Sequence, residues 1–272
     1  MQHIGGDGYS VGVVSISELD PRVLQPLWDA MRVHGDLLAS PLAPALSALL
    51  FHLVLCAPFL ALDALGCVCS SVRAHRISGG LKPRVVLRQW SESFWRMLGS
   101  YAVGVAPLTA ALQYLRTPRL PSLAPTCWRL CVDVLLCLFV FDTLFFIWHY
   151  VMHRSRWLYQ HVHQAHHKYH RIPIALAAQD ASAPELLSLL LLALGSSWLL
   201  GCHPLSEAAF HLLNTWLAVE DHCGYDLPWG LHRLLPRLGA GAPHHQLHHI
   251  LQKGNYAPYF THWDRLWGTE IR

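Results

Sequence analysis

The stretch FVFDTLFFIWHYVMHRSRWLYQHVHQAHHKYH, residues 139–170, decides the fold, because an apolar run of membrane-spanning length ends in histidines. His149 and His153 stand four apart, and His163, His166 and His167 follow as H-x-x-H-H. Positions i, i+3 and i+4 share one face of a helix, so each group is expected to aim two or three imidazoles at one spot. His245, His248 and His249 repeat H-x-x-H-H near the C-terminal end. Any single one of the 20 histidines is explained well enough as an interfacial or capping residue. Helical spacing in three separate clusters is not, and it points to metal.

Imidazole suits iron, zinc, copper and nickel, and eight clustered histidines exceed what one tetrahedral centre uses, so two ions are implied. A neutral, nitrogen-rich shell holds ferrous iron and leaves positions open for oxygen.

Working outward, 53% of the 272 residues are hydrophobic and 14% are charged. An ordinary soluble domain carries about 25% charged residues, so the chain reads as an integral-membrane protein. The net charge of +3 is small and the basic residues form no stripe interleaved with aromatics, which argues against nucleic acid as a partner. The first forty residues lack a basic segment followed by a short apolar core, which excludes a cleavable signal peptide. Residues 24–38 have helical apolar spacing that fits either an interfacial helix or one packed on the rest of the protein.

Residues 42–69 exceed the ~20 needed to cross a bilayer. His52 and Asp63 lie inside this run and must face other helices. A basic loop with Arg73, Arg76, Lys82, Arg84, Arg88 and Arg96 follows and is expected in the cytosol, which puts the N-terminal side in the lumen. A second span at 97–115, with Pro107 as a kink, and a third at 130–148 return the chain to the cytosolic face at His149. Residues 186–219 read as a helical hairpin that leaves and re-enters that face, keeping the third cluster beside the first two. The expected architecture is all-α, a polytopic membrane bundle with a cytosolic, histidine-rich di-metal cap. Residues 1–40 form a lumenal or interfacial segment and residues 41–272 a single domain.

Asp142, two turns before His149 on the same face, is a candidate to hold the free nitrogen of a ligating imidazole, or else a buried aspartate bridging helices. The eight cysteines are scattered along apolar segments without C-x-x-C and read as small hydrophobes. No phosphate-binding Gly loop, dinucleotide fingerprint or C-x-x-C-H is present, so any NADPH binds elsewhere. A zinc hydrolase is disfavoured because H-E-x-x-H is absent. A metal transporter is disfavoured because the clusters follow the ends of spans instead of lying at the bilayer midplane.

The three histidine clusters resemble those of the membrane-bound di-iron fatty acid hydroxylase and sterol desaturase superfamily. Three further stretches are similar to its sterol-hydroxylating members: QPLWDAMRVHGDLLASPLAP at 25–44, LGCHPLSEAAFHLLNTWLAVEDHCGYDLPWGLHRLLP at 200–236 and NYAPYFTHWDRLWGT at 255–269. The resemblance spans nearly the whole chain after its first twenty residues. It implies an oxygen-dependent monooxygenase of the endoplasmic reticulum membrane, with the site facing the cytosol and a sterol and membrane lipid as partners. Implied cofactors are two Fe ions, with zinc as an adventitious replacement. Electrons would come from NADPH through a membrane reductase, with a b-type cytochrome as an alternative carrier. A desaturase or methyl oxidase on the same scaffold is left open.

The resemblance also adds His222, in EDHCGYD, to the candidate metal ligands His149, His153, His163, His166, His167, His245, His248 and His249. His232 and His244 are weaker candidates, and His161 and His170 weaker still. Where some relatives carry a further histidine after the second cluster, this chain has Gln179. No catalytic residue beyond the ligands is identified, although Glu220 and Asp226 are near enough to consider as proton donors. Arg154, Arg156, Lys168 and Arg171 are placed either to dock an acidic electron carrier or, preferably, to meet anionic headgroups.

Overall fold

The structure, a computed structural model, describes residues 22–79, 82–115, 120–169 and 172–272. Among these the chain is helical, with isolated bridges in place of strands. The long elements are α1 (Gln25–Val33), α2 (Ala43–Gly66), α3 (Pro83–Ser100), α4 (Ala106–Leu115), α5 (Cys127–Arg154), α6 (Ala183–Leu199), α7 (Pro204–His222) and α8 (Gly241–Leu251), followed by the short α9 (His262–Trp267). His170 and Arg171 lie outside the described residues, as does most of the N-terminal segment.

α2 and α5 are long and apolar enough to cross a membrane, and α6 is a shorter apolar helix. On α2, Leu46, Leu50, Phe51 and Val54 are exposed although the helix also carries the buried His52 and Asp63. The two polar residues thus face inward with Cys56 and Phe59, while other apolar side chains face outward. Asp63 pairs with the buried Arg76 and accepts from Trp90 Nε1 and the Tyr225 hydroxyl, both at 2.9 Å. Arg76 also donates to the Pro173 carbonyl at 2.9 Å. Two members of the expected basic loop are therefore structural: Arg76 closes this buried network, and Arg96 pairs with the buried Asp180. Removing one partner of such a pair strands a buried charge, at about 3–5 kcal/mol.

Residues 83–115 form one helical run, interrupted by a π-helical turn at Tyr101–Val105. The irregularity precedes Pro107, because the wider turn releases the backbone acceptors that a proline leaves unpartnered. α5 starts under a Thr126 cap, whose side chain accepts from the Arg129 N–H at 3.1 Å. α6 and α7 run out and back, joined by a short turn, and each packs on α5. The hairpin's turn reaches the start of α5, where the His203 ring meets the Leu123 carbonyl at 3.1 Å and stacks edge-on with Trp28. Trp28 is buried and donates to the Pro121 carbonyl at 2.8 Å, so α1 is packed on the rest of the protein. The opposite end of the hairpin delivers Glu185 and His222 to the histidine side.

Candidate metal centre

The final turns of α5 carry His149 and His153, the last turn of α7 carries His222, and α8 carries His245, His248 and His249. The second cluster departs from a regular helix: a π turn over Tyr159–His163 is followed by a 3-10 turn over His166–Tyr169. All nine candidate histidines converge, in two groups. His149, His153, His163, His167 and His248 form one, and His166, His222, His245 and His249 the other, with the ligand nitrogens in each within 4.8 Å of one another.

Each H-x-x-H-H therefore aims two imidazoles at one spot and sends its third to the other. In both motifs the i and i+4 histidines go to one group and the i+3 histidine to the other. Consecutive residues on a helix point about 100° apart, so adjacent histidines straddle two centres. The two motifs thereby exchange one histidine each.

The outer contacts determine what the inner nitrogens offer. His149 Nδ1 meets the Tyr256 carbonyl at 2.8 Å, His248 Nδ1 the Gly254 carbonyl at 2.7 Å and His222 Nδ1 the Ala218 carbonyl at 2.7 Å. A carbonyl can only accept, so each of these Nδ1 atoms carries the proton and each Nε2 presents a lone pair. His163 Nδ1 meets the buried Glu185 Oε1 at 2.9 Å, the carboxylate–histidine arrangement that orients metal ligands. Inside the first group, His163 Nε2 lies 3.0 Å from both His149 Nε2 and His167 Nε2. Inside the second, His222 Nε2 lies 3.1 Å from His166 Nε2 and 3.0 Å from His245 Nε2, which is 2.9 Å from His249 Nε2.

Lone pairs of His149 and His163 facing one another at this distance repel unless a cation lies between them. For metal–nitrogen bonds of about 2.1 Å, neighbouring ligands are about 3.0 Å apart on an octahedron and about 3.4 Å apart on a tetrahedron. The measured separations match the octahedral edge, and the residues present fit two metal ions. Burial first, and neighbouring imidazoles second, hold His163, His166, His245 and His249 well below the usual imidazole range, and His248 at about 3. The donors are therefore neutral at physiological pH, as ligation requires.

A cavity of about 1290 Å³ runs from Trp28 and His203 to His166, His222 and His245, so the second group opens on it and none of the five histidines of the first lines it. A smaller space of about 10 Å³, room for one small ion or water, lies among His166, His222, His245 and His249. Asp221 is buried and lines both spaces.

The sequence reading missed Glu185, whose S-x-x-E spacing after Ser182 looks like a helix cap; Ser182 does cap α6, accepting from the Glu185 N–H at 3.3 Å. It also passed over Asp221 in favour of its neighbours. Asp226 is taken up by Arg233 and His232, and Glu220 does not line the cavity. Asp142 holds no imidazole; it accepts from the Tyr259 and Phe260 N–H groups at 2.9 and 3.0 Å and so is the helix-to-loop bridge. His232 and His244 face Asp226 and Asp264 and join neither group, and His161 is bonded to the Trp157 carbonyl. Gln179 accepts from the Tyr101 hydroxyl at 2.6 Å.

The sequence profile of the fatty acid hydroxylase family matches residues 134–269, the region that carries all nine histidines. The chain belongs to this family of hydroxylases. Within it, the chain is 42% identical over 255 residues to a cholesterol 25-hydroxylase-like protein of Danio rerio, covering 90% of this chain and 97% of that one. It is 41% identical to the cholesterol 25-hydroxylase of Homo sapiens, covering 90% of each. A cholesterol 25-hydroxylase-like protein of Caenorhabditis elegans is 29% identical over 97% of this chain and 89% of its own length. No solved structure matches.

Proposed function

We propose that this protein is a membrane-embedded di-iron sterol monooxygenase that hydroxylates cholesterol at carbon 25 to give 25-hydroxycholesterol. What carries the reading is the opening of the four-histidine group onto a cavity large enough for a sterol, in a family of hydroxylases whose similar members are named for this reaction. The reaction balances as sterol C–H, O2, NADPH and a proton going to sterol C–OH, water and NADP+. Iron, when bound, supplies the stepwise reduction of oxygen that an unactivated C–H bond requires. Five donors in one group exceed the four of a tetrahedral zinc site, and hydroxylation calls for a redox-active ion, which zinc is not, so iron is favoured over zinc.

The chain's own residues hold and orient. The Tyr256, Gly254 and Ala218 carbonyls and Glu185 lock four imidazoles with Nε2 inward. Four imidazoles would hold one ion beside the cavity, and five would hold the other away from it. Apolar walls, among them Phe141, Phe145, Leu186 and Leu190, keep water from the reacting carbon and position the sterol side chain. Choice of carbon rests on this positioning, since apolar contact discriminates weakly between neighbouring methylenes.

The outward-facing apolar residues of α2, the two span-length helices and the return of the hairpin to the histidine side support a polytopic bundle in the endoplasmic reticulum membrane with the cap in the cytosol. Electrons would arrive there from an NADPH-dependent reductase or a b-type cytochrome.

Expressing the chain in cells beside His248→Ala and measuring oxysterols by mass spectrometry under oxygen-18 tests the proposal. Labelled 25-hydroxycholesterol from the wild type alone is expected. A desaturated sterol would replace hydroxylation with desaturation on the same scaffold, and unlabelled or absent product would overturn the monooxygenase reading.

A further inference from the structure

We propose that His211, with Glu207 one turn away, binds the 3-hydroxyl of the sterol at the end of the cavity remote from the histidine groups. This rests on reading the cavity as a sterol site. α7 is an unbroken helix, and His211, Thr215, Ala218 and His222 follow one another at spacings of four, three and four, which keeps them in a single stripe. All four line the cavity, as does Glu207. The stripe therefore begins at a polar pair and ends at a candidate metal ligand. Eleven residues at about 1.5 Å each separate His211 from His222 by about 16 Å along the axis, on the order of the reach of an extended sterol from its ring hydroxyl to the tertiary carbon of its side chain.

Several other polar groups that line the cavity are already engaged. His203 accepts from the Leu205 N–H at 3.0 Å and meets the Leu123 carbonyl; Gln113 donates to the Leu38 carbonyl at 2.8 Å; Arg129 donates to Asp133 at 2.7 Å. The Thr215 hydroxyl donates to the His211 carbonyl at 2.8 Å. His211 Nε2, by contrast, is buried without a hydrogen-bond partner, and Glu207 Oε1 stands 3.9 Å away, beyond hydrogen-bond reach. An alcohol carries one donor and two acceptor sites. Set beside this pair on the cavity side, with a small turn of the imidazole that brings Nε2 to the cavity surface, it accepts from the imidazole N–H and donates to the carboxylate. A 3-ketone can satisfy only the imidazole, a 3-ester loses the donor, and a 3-deoxysterol satisfies neither partner.

The test is equilibrium binding of radiolabelled cholesterol and of cholest-5-ene, its 3-deoxy analogue, to the metal-loaded full chain in lipid nanodiscs. The wild type is expected to prefer cholesterol at least tenfold. His211→Leu should abolish the preference while leaving cholest-5-ene affinity and metal content unchanged. His211→Gln, which keeps a donor, should retain most of the preference, and Glu207→Leu, which removes the acceptor, should lower it. In turnover, His211→Leu should raise KM with little change in kcat. A preference that survives in His211→Leu, or that the wild type lacks while binding both sterols, overturns the hydroxyl site alone. Binding of neither sterol by metal-loaded wild type overturns the sterol reading and this site with it. Metal content reports the fold of each variant; if His211→Leu loses metal, Glu207→Leu decides instead, and an unchanged preference there overturns the proposal.

Discussion

In the five-histidine group, His149, His163 and His248 are each braced from outside by Tyr256, Glu185 and Gly254. In the four-histidine group, among the described residues, only His222 has such a brace, from Ala218, while His166 Nδ1 and His245 Nδ1 are buried without a partner. The first group is turned away from the cavity and the second faces it. Donors of one kind are thus set in a rigid shell and in an adaptable one, and adaptability sits where a substrate and oxygen must be admitted. Because each H-x-x-H-H serves both groups, a change in either is felt by the other.

The largest expected effect comes from removing one donor on each side. His248→Ala and His222→Ala should each reduce turnover at least about 100-fold, and metal analysis should show roughly half the iron lost in each. Wild-type iron in His222→Ala would remove it from the ligand set and leave the second group with three donors. Glu185→Gln weakens the brace without removing a ligand. It should lower metal affinity at the first group about 10- to 100-fold, read by chelator competition, with the second group less affected.

Acid sharpens the contrast. In the metal-free protein the buried His163, His166, His245 and His249 resist protonation, whereas unfolded imidazoles take up protons near the ordinary value of 6.5. The unfolded state then binds more protons, so stability should fall as pH drops below about 6.5 and be unaffected above it. Thermal melts of the apo chain across that range check the sign. With metal bound, the less braced group should release its ion at the higher pH. Asp221→Asn should have the smallest effect, about tenfold on turnover, with iron content and cholesterol binding unchanged. A fall in iron would make Asp221 part of the metal shell.

Helix content and the clustering of eight of the nine histidines were legible from local spacing, whereas His222 came from the family resemblance alone. His149 and His153 sit on a regular helix, and the second and third clusters repeat one motif. The division of each motif between two groups was not legible. It depends on how α8 and the π and 3-10 turns at 159–169 are oriented about a common axis, which is a tertiary property. Glu185 was hidden for a related reason: its backbone follows the helix-cap pattern while its side chain serves another element. Asp142 shows the converse, since its position two turns from His149 suggested an imidazole, but the loop at Tyr259 and Phe260 offered two unpaired N–H groups. A buried carboxylate goes to the stronger need.

The braces on the first group have a further consequence, for the order of assembly. His149 is oriented by Tyr256, whose N–H is held by Asp264 at 2.8 Å, and Asp264 is in turn tied to the Thr269 hydroxyl at 2.7 Å. Gly254, which braces His248, adopts a φ of +65°, and a β-carbon there would lie 2.6 Å from the Thr269 carbonyl. These residues leave the ribosome after every histidine of the site. A nascent chain can insert its helices and bring its imidazoles together, but it has no finished first centre until residues 254–269 fold back. Metal loading is therefore expected only after this segment has been released, and a chain stalled before it should be found in the membrane without metal.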